Sequence, residues 1–240
     1  MSEAIFVEGL TKAYGGKTVV DHLDLSVKSG TVFGLLGANG AGKSTAIECM
    51  LGTKRADGGT VRLLGQDPSK RRHTLFQRIG VQFQEGDYQK EIKVSELCEE
   101  TASLYRSPAD WRALCEQLGI GDKGNTPVKS LSGGERQRLF IVLALIPQPE
   151  LVFLDELTTG LDAKARRGVW KTLEQLKEQG LTILLTSHFM DEVEALCDEI
   201  CILKKGIAVF RGTVAQAKAR CGCERFEDAY LQLSDEEADA

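Results

Sequence analysis

The sequence has no surplus of positive charge: 30 Lys and Arg stand against 35 Asp and Glu, a formal net charge of −5. Proteins that grip nucleic acid through bulk electrostatics carry the opposite sign, so no nucleic-acid partner is expected. Long apolar runs are missing too. The longest, "LFIVLALI", falls far short of the ~20 residues that span a bilayer. If the protein acts on a membrane, another chain must supply the span. The stretch "MSEAIFVEGL" lacks the charged-then-apolar pattern of a leader peptide. Organised cysteine is also lacking. The seven cysteines are scattered, and the close pairs Cys197/Cys201 and Cys221/Cys223 do not have C-x-x-C spacing. Zinc knuckles need that spacing, and unpaired cysteines of this kind fit a reducing compartment. There is no internal repeat and no low-complexity linker.

What remains is an ordinary globular composition, 42% hydrophobic and 27% charged over 240 residues, with ample length for a core. Apolar and polar residues alternate at period two in "AIFVEGL" and "VVDHLDLSV", which predicts two strands. "TVFGLLG" is a short apolar run, read as a buried strand. It is followed by a glycine-rich loop and the helix "TAIECMLG". "GGTVRLLG" predicts an edge strand or hairpin, and "IGVQFQ" a further strand over 79–84. The character then changes. "KVSELCEETASLYR", "PADWRALCEQLG" and "GGERQRLFIVLALI" read as helices, with Pro108 suited to a first helical turn. From 148 the strand–helix alternation returns: "ELVFLDE", a helix stopped by Gly180, "LTILLTSH", the helix "MDEVEALCDE" and a hairpin in "ICILKKGIAVFRG". This alternation predicts an α/β fold with a mostly parallel sheet. The helical block looks like an insertion into it.

Gly37 to Ser44, "GANGAGKS", fits the pattern G-x-x-x-x-G-K-[ST] between a strand and a helix. In such a loop, bare glycine backbones wrap phosphates with N–H groups. Lys43 reaches the β- and γ-phosphates of a nucleotide, and the Ser44 hydroxyl ligates Mg²⁺. "LVFLDE" supplies a second element. Four successive apolar residues imply a strand covered on both faces. Asp155 at its carboxyl end then reaches the crevice where such sheets bind ligands, and can hold Mg²⁺ through water. Glu156 follows directly, placed to polarise an attacking water as a general base. "LSGGERQR" at 131–138 is a third element. Ser132 and Glu135 form a capping-box pattern, which leaves Gly133 and Gly134 unexplained. Two glycines at a helix start suit a backbone that an anion approaches closely.

With "GANGAGKS", "LSGGE" and "LDE" together, residues 4–215 of the chain resemble the ATP-binding subunit of the ATP-binding cassette (ABC) family, most like the drug/antibiotic exporter ATPases. The resemblance implies a P-loop NTPase (RecA-like) core over 1–84 and 148–220. It also implies an N-terminal antiparallel β subdomain, an inserted helical subdomain over 85–147 and a tail over 221–240, all within one ABC ATPase domain. ATP and Mg²⁺ are the implied cofactors. Gly37, Ala38, Asn39, Gly40, Ala41, Gly42, Lys43, Ser44 and Thr45 would form the nucleotide cradle. Two such domains would face each other head to tail, so that Ser132, Gly133, Gly134 and Glu135 meet ATP held by the partner. Tyr14 stands where an aromatic stacks on adenine. Gln84 matches a glutamine that contacts Mg²⁺ or water, with Gln82 two residues away on the same strand face. Asp162 in "TTGLD" matches a residue reporting across the dimer, and it also suits an N-cap. His188 matches a switch histidine near the γ-phosphate. Leu157 stands where the family usually has proline.

The resemblance also implies export through a separate membrane subunit. It implies attachment at the cytoplasmic side of the cell membrane and a homodimer or a sister-subunit pair. A soluble ABC ATPase acting on ribosomes or DNA is the alternative. Against it stand a single cassette and the lack of a heptad run. A GTPase or nucleotide kinase would leave "LSGGE" unused, and no N-K-x-D base-reading motif is present.

Overall fold

The structure is a computed structural model describing residues 2–82, 88–89 and 91–235. Its first strands, β1 (Glu3–Tyr14) and β2 (Lys17–Lys28), pair antiparallel. Their period-two pattern buries Ile5, Val7 and Leu10 against Leu23, Leu25 and Val27. A later strand, β4 (Gly58–Leu63), joins the other edge of β1, giving a three-stranded antiparallel sheet in the order β2-β1-β4.

The second sheet has six strands. They are β3 (Val32–Leu36), β5 (Ile79–Gln82), β6 (Leu151–Asp155), β7 (Thr182–Thr186), β8 (Glu199–Lys204) and β9 (Ile207–Gly212). The order is β5-β6-β7-β3-β8-β9, with only β9 antiparallel. Every residue of β3, β6 and β7 is buried, as a parallel strand covered on both faces requires. Alternation sends their side chains into two cores. Val32, Val152, Leu154, Ile183 and Leu185 face one. Phe33, Leu151, Phe153 and Leu184 face the other, beneath the antiparallel sheet. Truncating a buried ring such as Phe153 in such a core costs about 3–5 kcal/mol.

Helices α1 (Lys43–Met50) and α2 (Pro68–Leu75) precede β5. Between β5 and β6 lie α3 (Val94–Ser103), α4 (Trp111–Gln117) and α5 (Gly133–Leu145). Helix α5 lies almost on the backbone of β5: a Cβ on Gly80 would sit 2.0 Å from the carbonyl oxygen of Ala144. Only glycine permits that approach. Then come α6 (Ala163–Glu178), α7 (Met190–Leu196), α8 (Val214–Cys221) and α9 (Phe226–Asp235).

Some local structure differs from the sequence expectation. Helix α2 was not anticipated, although Asp67 caps it by accepting from Ser69 N and Pro68 opens it. Pro108 is not in a first turn: α4 starts at Trp111, and Asp110 is its cap. Within the segment 221–240, Phe226–Asp235 forms a helix, because Phe226, Ala229 and Leu233 share one face and pack on β8 and β9 with Ile200 and Phe210. The predicted strand over 79–84 runs to Gln82, and its last two residues lie outside the described ones.

Candidate active site

Strand β3 delivers the chain to a turn that only glycine can make. Gly37 has φ +148° and Gly42 has φ +102°. A Cβ would lie 2.4 Å from Leu203 O at Gly37 and 2.5 Å from Val19 O at Gly42. Gly42 is also the N-cap of α1 and supplies no side-chain acceptor, and no acidic residue occupies the first turn. The first N–H groups of α1 are therefore not satisfied by any cap, the condition for an anion site at a helix N-terminus. Ala38, Asn39, Gly40 and Ser44 are exposed around this point, Ala41 is buried and Thr45 is half-buried.

Lys43 points back under the loop. Its side chain is buried, and Nζ donates to Gly37 O at 2.7 Å and Ala38 O at 3.3 Å. Burial pushes its pKa down, while the charges of Glu156 and Asp155 push it up. The ammonium thus feels the charge of both carboxylates.

Asp155 ends β6, directly beside Thr186 at the end of β7. Thr186 Oγ1 donates to Asp155 Oδ1 at 2.5 Å and accepts from Glu156 N at 3.0 Å. Burial raises the pKa of Asp155, opposed by the Thr186 hydroxyl and by Lys43. Sequence reasoning missed Thr186. Its only signal was a hydroxyl at the end of an apolar strand two residues before His188. Glu156 takes φ +51°, an uncommon conformation for a residue with a side chain. The turn brings its Oε1 within 2.5 Å of His188 Nε2. Leu157, in the usual proline position, is buried in the core with Leu131 and Ile141. Lys43, Asp155, Glu156 and His188 therefore come together at the carboxyl ends of β3, β6 and β7. In an open α/β sheet this is where ligands bind.

Tyr14 ends β1 with 44% of its surface exposed, and the ammonium groups of Lys12 and Lys54 lie 5.1 and 5.7 Å from its ring centroid. Gln84 lies outside the described residues. Gln82, the alternative in register, ends β5 and is buried.

Ser132 to Glu135, at the start of α5, stand apart from this cluster. Ser132 caps α5: its backbone N and Oγ donate to Glu135 Oε2 at 2.8 and 2.9 Å, and its Oγ accepts from Glu135 N at 3.3 Å. These bonds, with Lys123 at 3.1 Å, hold the Glu135 carboxyl down to about 2. Asp162 caps α6 by accepting from Ala165 N at 2.8 Å. The neighbours of Gly133 belong to the loop leading into α6 and that of Gly134 to the first turn of α6, not to the phosphate loop. A Cβ on Gly133 would meet Leu161 and Gly160 O at ordinary contact distances, 3.7 and 3.8 Å, whereas one on Gly134 would come within 3.2 Å of Ala165 Cβ. Gly134 thus has a packing reason within the chain; Gly133 has none and is exposed.

A phosphate loop with a buried lysine, a strand-end aspartate and an adjacent glutamate–histidine pair define a P-loop nucleoside triphosphatase. The chain belongs to the ABC transporter family, as an ATP-binding, ATP-hydrolysing subunit: the ABC transporter family profile matches residues 20–159. It is 42% identical over 211 residues to "Nod factor export ATP-binding protein I" of Ralstonia nicotianae, covering 86% of this chain and 66% of that one. It is 37% identical over 226 residues to "Daunorubicin/doxorubicin resistance ATP-binding protein DrrA" of Streptomyces peucetius, covering 92% and 68%. The chain thus spans about two thirds of the length of these relatives. A solved ATP-binding subunit of an ABC transporter shares the fold at TM-score 0.87 and 23% identity, covering 97% of this chain and 100% of that one.

Proposed function

We propose that the chain powers export through a separate membrane subunit, and that it works as a head-to-tail dimer closing around two Mg-ATP. The observation that carries this reading is the division of the site. The phosphate loop, Asp155, Glu156 and His188 converge at one place, whereas the exposed Ser132–Gly133 helix start has its neighbours among residues 160–165, and on this reading it meets a nucleotide held by a second chain. The export-related names of the relatives support the direction. Among the described residues no helix is long and apolar enough to cross a membrane, so on this reading the chain attaches to the cytoplasmic face through its partner. Residues 85–147 would form the subdomain that carries the signature helix.

In this reading Gly37 to Thr45 cradle the phosphates, with Lys43 on the β- and γ-phosphates, and Tyr14 stacks on adenine. Glu156 accepts a proton from the attacking water, and His188 orients Glu156 and the γ-phosphate. Ser132 to Glu135, with Asp162, complete the partner's site. The donors fit Mg²⁺. Among the described residues no three His, Cys, Asp or Glu cluster to cage a metal, and Mg²⁺ commonly takes only one or two protein oxygens plus phosphates. Ser44, with Gln84, would supply those oxygens, and Asp155 would hold the ion through water. The buried Asp155 carboxyl, its pKa raised by desolvation, would gain the counter-charge that burial makes valuable. Bound there, the ion would neutralise phosphate charge.

Gly133→Asp tests the dimer. Its Cβ meets nothing closer than 3.7 Å within the chain, so the fold and ATP binding by the single chain should survive. The new carboxylate would face the partner's γ-phosphate, and ATPase activity should disappear. Activity that persists at high protein concentration would sink the sandwich.

Tyr14→Ala should weaken ATP binding by about 1–3 kcal/mol, the worth of a base–aromatic stack, and Tyr14→Trp should retain it. Calorimetric titration with ATP measures both. Wild-type affinity in the two variants would make Tyr14 a packing residue only.

A further inference from the structure

Four residues after His188 the chain buries a carboxylate with no assigned task. Glu192, in the first turn of α7, is 3% exposed. Its Oε1 accepts from Trp170 Nε1 of α6 at 2.8 Å. The hydroxyls of Ser187 and Thr158 lie beside it and favour its ionised form against the cost of burial, as does the Arg166 charge. These neighbours come from three segments. Thr158 is in the loop between Glu156 and Asp162. Ser187 immediately precedes His188. Trp170 and Arg166 are on α6, which Asp162 caps.

The cluster is not fully satisfied. Thr158 Oγ1 and Arg166 Nε are sealed from water without a close hydrogen-bond partner, and each such atom in a folded protein calls for an explanation. Arg166 instead stacks over Phe189 at 4.5 Å and pairs with Asp191 at 2.9 Å, both next to the histidine loop. A buried polar network left short of partners suits an element with a second arrangement.

We propose that Glu192 is a positioning residue that ties α6 to the β7–α7 loop, so that a displacement of α6 at Asp162 sets the contact of His188 with Glu156. Glu192 touches no substrate. It bonds Trp170 of α6 from a position four residues after His188, and Thr158 and Ser187, two positions from Glu156 and one from His188, lie beside it.

Glu192→Ala in the full chain should lower kcat for ATP at least about tenfold while KM stays within about twofold, because the phosphate loop is built on β3 and α1 and is not part of the cluster. Glu192→Gln should recover most of that loss: its amide oxygen can accept from Trp170 and its volume is the same. The two tryptophans, Trp111 and Trp170, allow a second readout. In a Trp111→Phe background, Trp170 emission should change on adding Mg-ATP, and this change should vanish with Glu192→Ala. A kcat for Glu192→Ala within twofold of wild type, or a Trp170 emission indifferent to Mg-ATP, would overturn the coupling. So would equal losses in the Gln and Ala variants that track lowered thermal stability. Should Glu192→Ala fail to fold, Trp170→Phe decides: a lowered kcat at unchanged KM supports the coupling and a wild-type kcat ends it. The proposal rests on the roles given to Glu156 and His188. Glu156→Gln run alongside separates the two. Activity surviving that change removes the roles themselves, whereas activity surviving only Glu192→Ala removes the coupling alone.

Discussion

Glu156→Gln is expected to lower ATP turnover by at least ~10²-fold, within the ~10²–10⁴ that positioned proton transfer contributes, and to leave ATP binding intact. The geometry makes the substitution clean. The backbone at this position is fixed by its own bonds, Glu156 N to Thr186 Oγ1 at 3.0 Å and to Thr186 O at 3.3 Å. Glutamine has the same shape and can keep the contact with His188, but loses nearly all of the basicity. ATP should then bind, close the dimer and remain, because hydrolysis is what would reopen it.

Asp155→Asn makes the contrast. Thr186 Oγ1 bonds Asp155 at 2.5 Å, and an amide oxygen can accept in its place, so the strand ends should hold. What is lost is the negative charge offered to Mg²⁺, and no trapped dimer should form. Phosphate release gives the rates, and size-exclusion chromatography with and without Mg-ATP gives the dimer. Near-wild-type hydrolysis by Glu156→Gln would remove Glu156 from the chemistry, whatever the chromatogram shows.

Much of this site is legible in the sequence because it depends on local backbone. The phosphate loop is a glycine spacing, and Asp155 is marked by the buried run that ends on it. What was not legible depends on register and on packing between distant segments. Thr186 matters because parallel pairing sets it beside Asp155, and nothing in "LLTSH" reveals which strand lies alongside. Glu192 reads as an ordinary acidic residue in a helix's first turn, yet α6 covers it. Gly134 reads as room for an anion, and the sequence does not show that Ala165 of α6 packs within 3.2 Å of where its Cβ would sit. Helix α9 went unseen because its apolar face is only three residues long and is followed at once by acidic ones.

Lys43→Ala is expected to weaken ATP binding by about 10- to 100-fold without unfolding the chain. A hydrogen bond to a charged partner is worth about 1.5–3 kcal/mol, and each 1.4 kcal/mol is tenfold in affinity. Several features of this chain favour the upper part of that range. The ammonium is already seated beneath the loop by Gly37 O and Ala38 O, so little side-chain freedom remains to be lost on binding. It is buried, and a charge there meets phosphate in a low effective dielectric. The fold should survive because α1 is anchored by Ala46, Ile47 and Met50, all in the core beneath the antiparallel sheet, and alanine is the better helix former. Ala38 is exposed, so water can reach its carbonyl once the lysine is gone. Lys43→Arg should not rescue binding: the guanidinium is a broad planar fork, and the space under the loop is shaped for a compact ammonium. Calorimetric titration with ATP measures the affinity, and thermal unfolding without nucleotide checks the fold. If Lys43→Ala melts like wild type and binds ATP as tightly, the loop does not hold the phosphates through Lys43, and the assignment of the cradle falls with it.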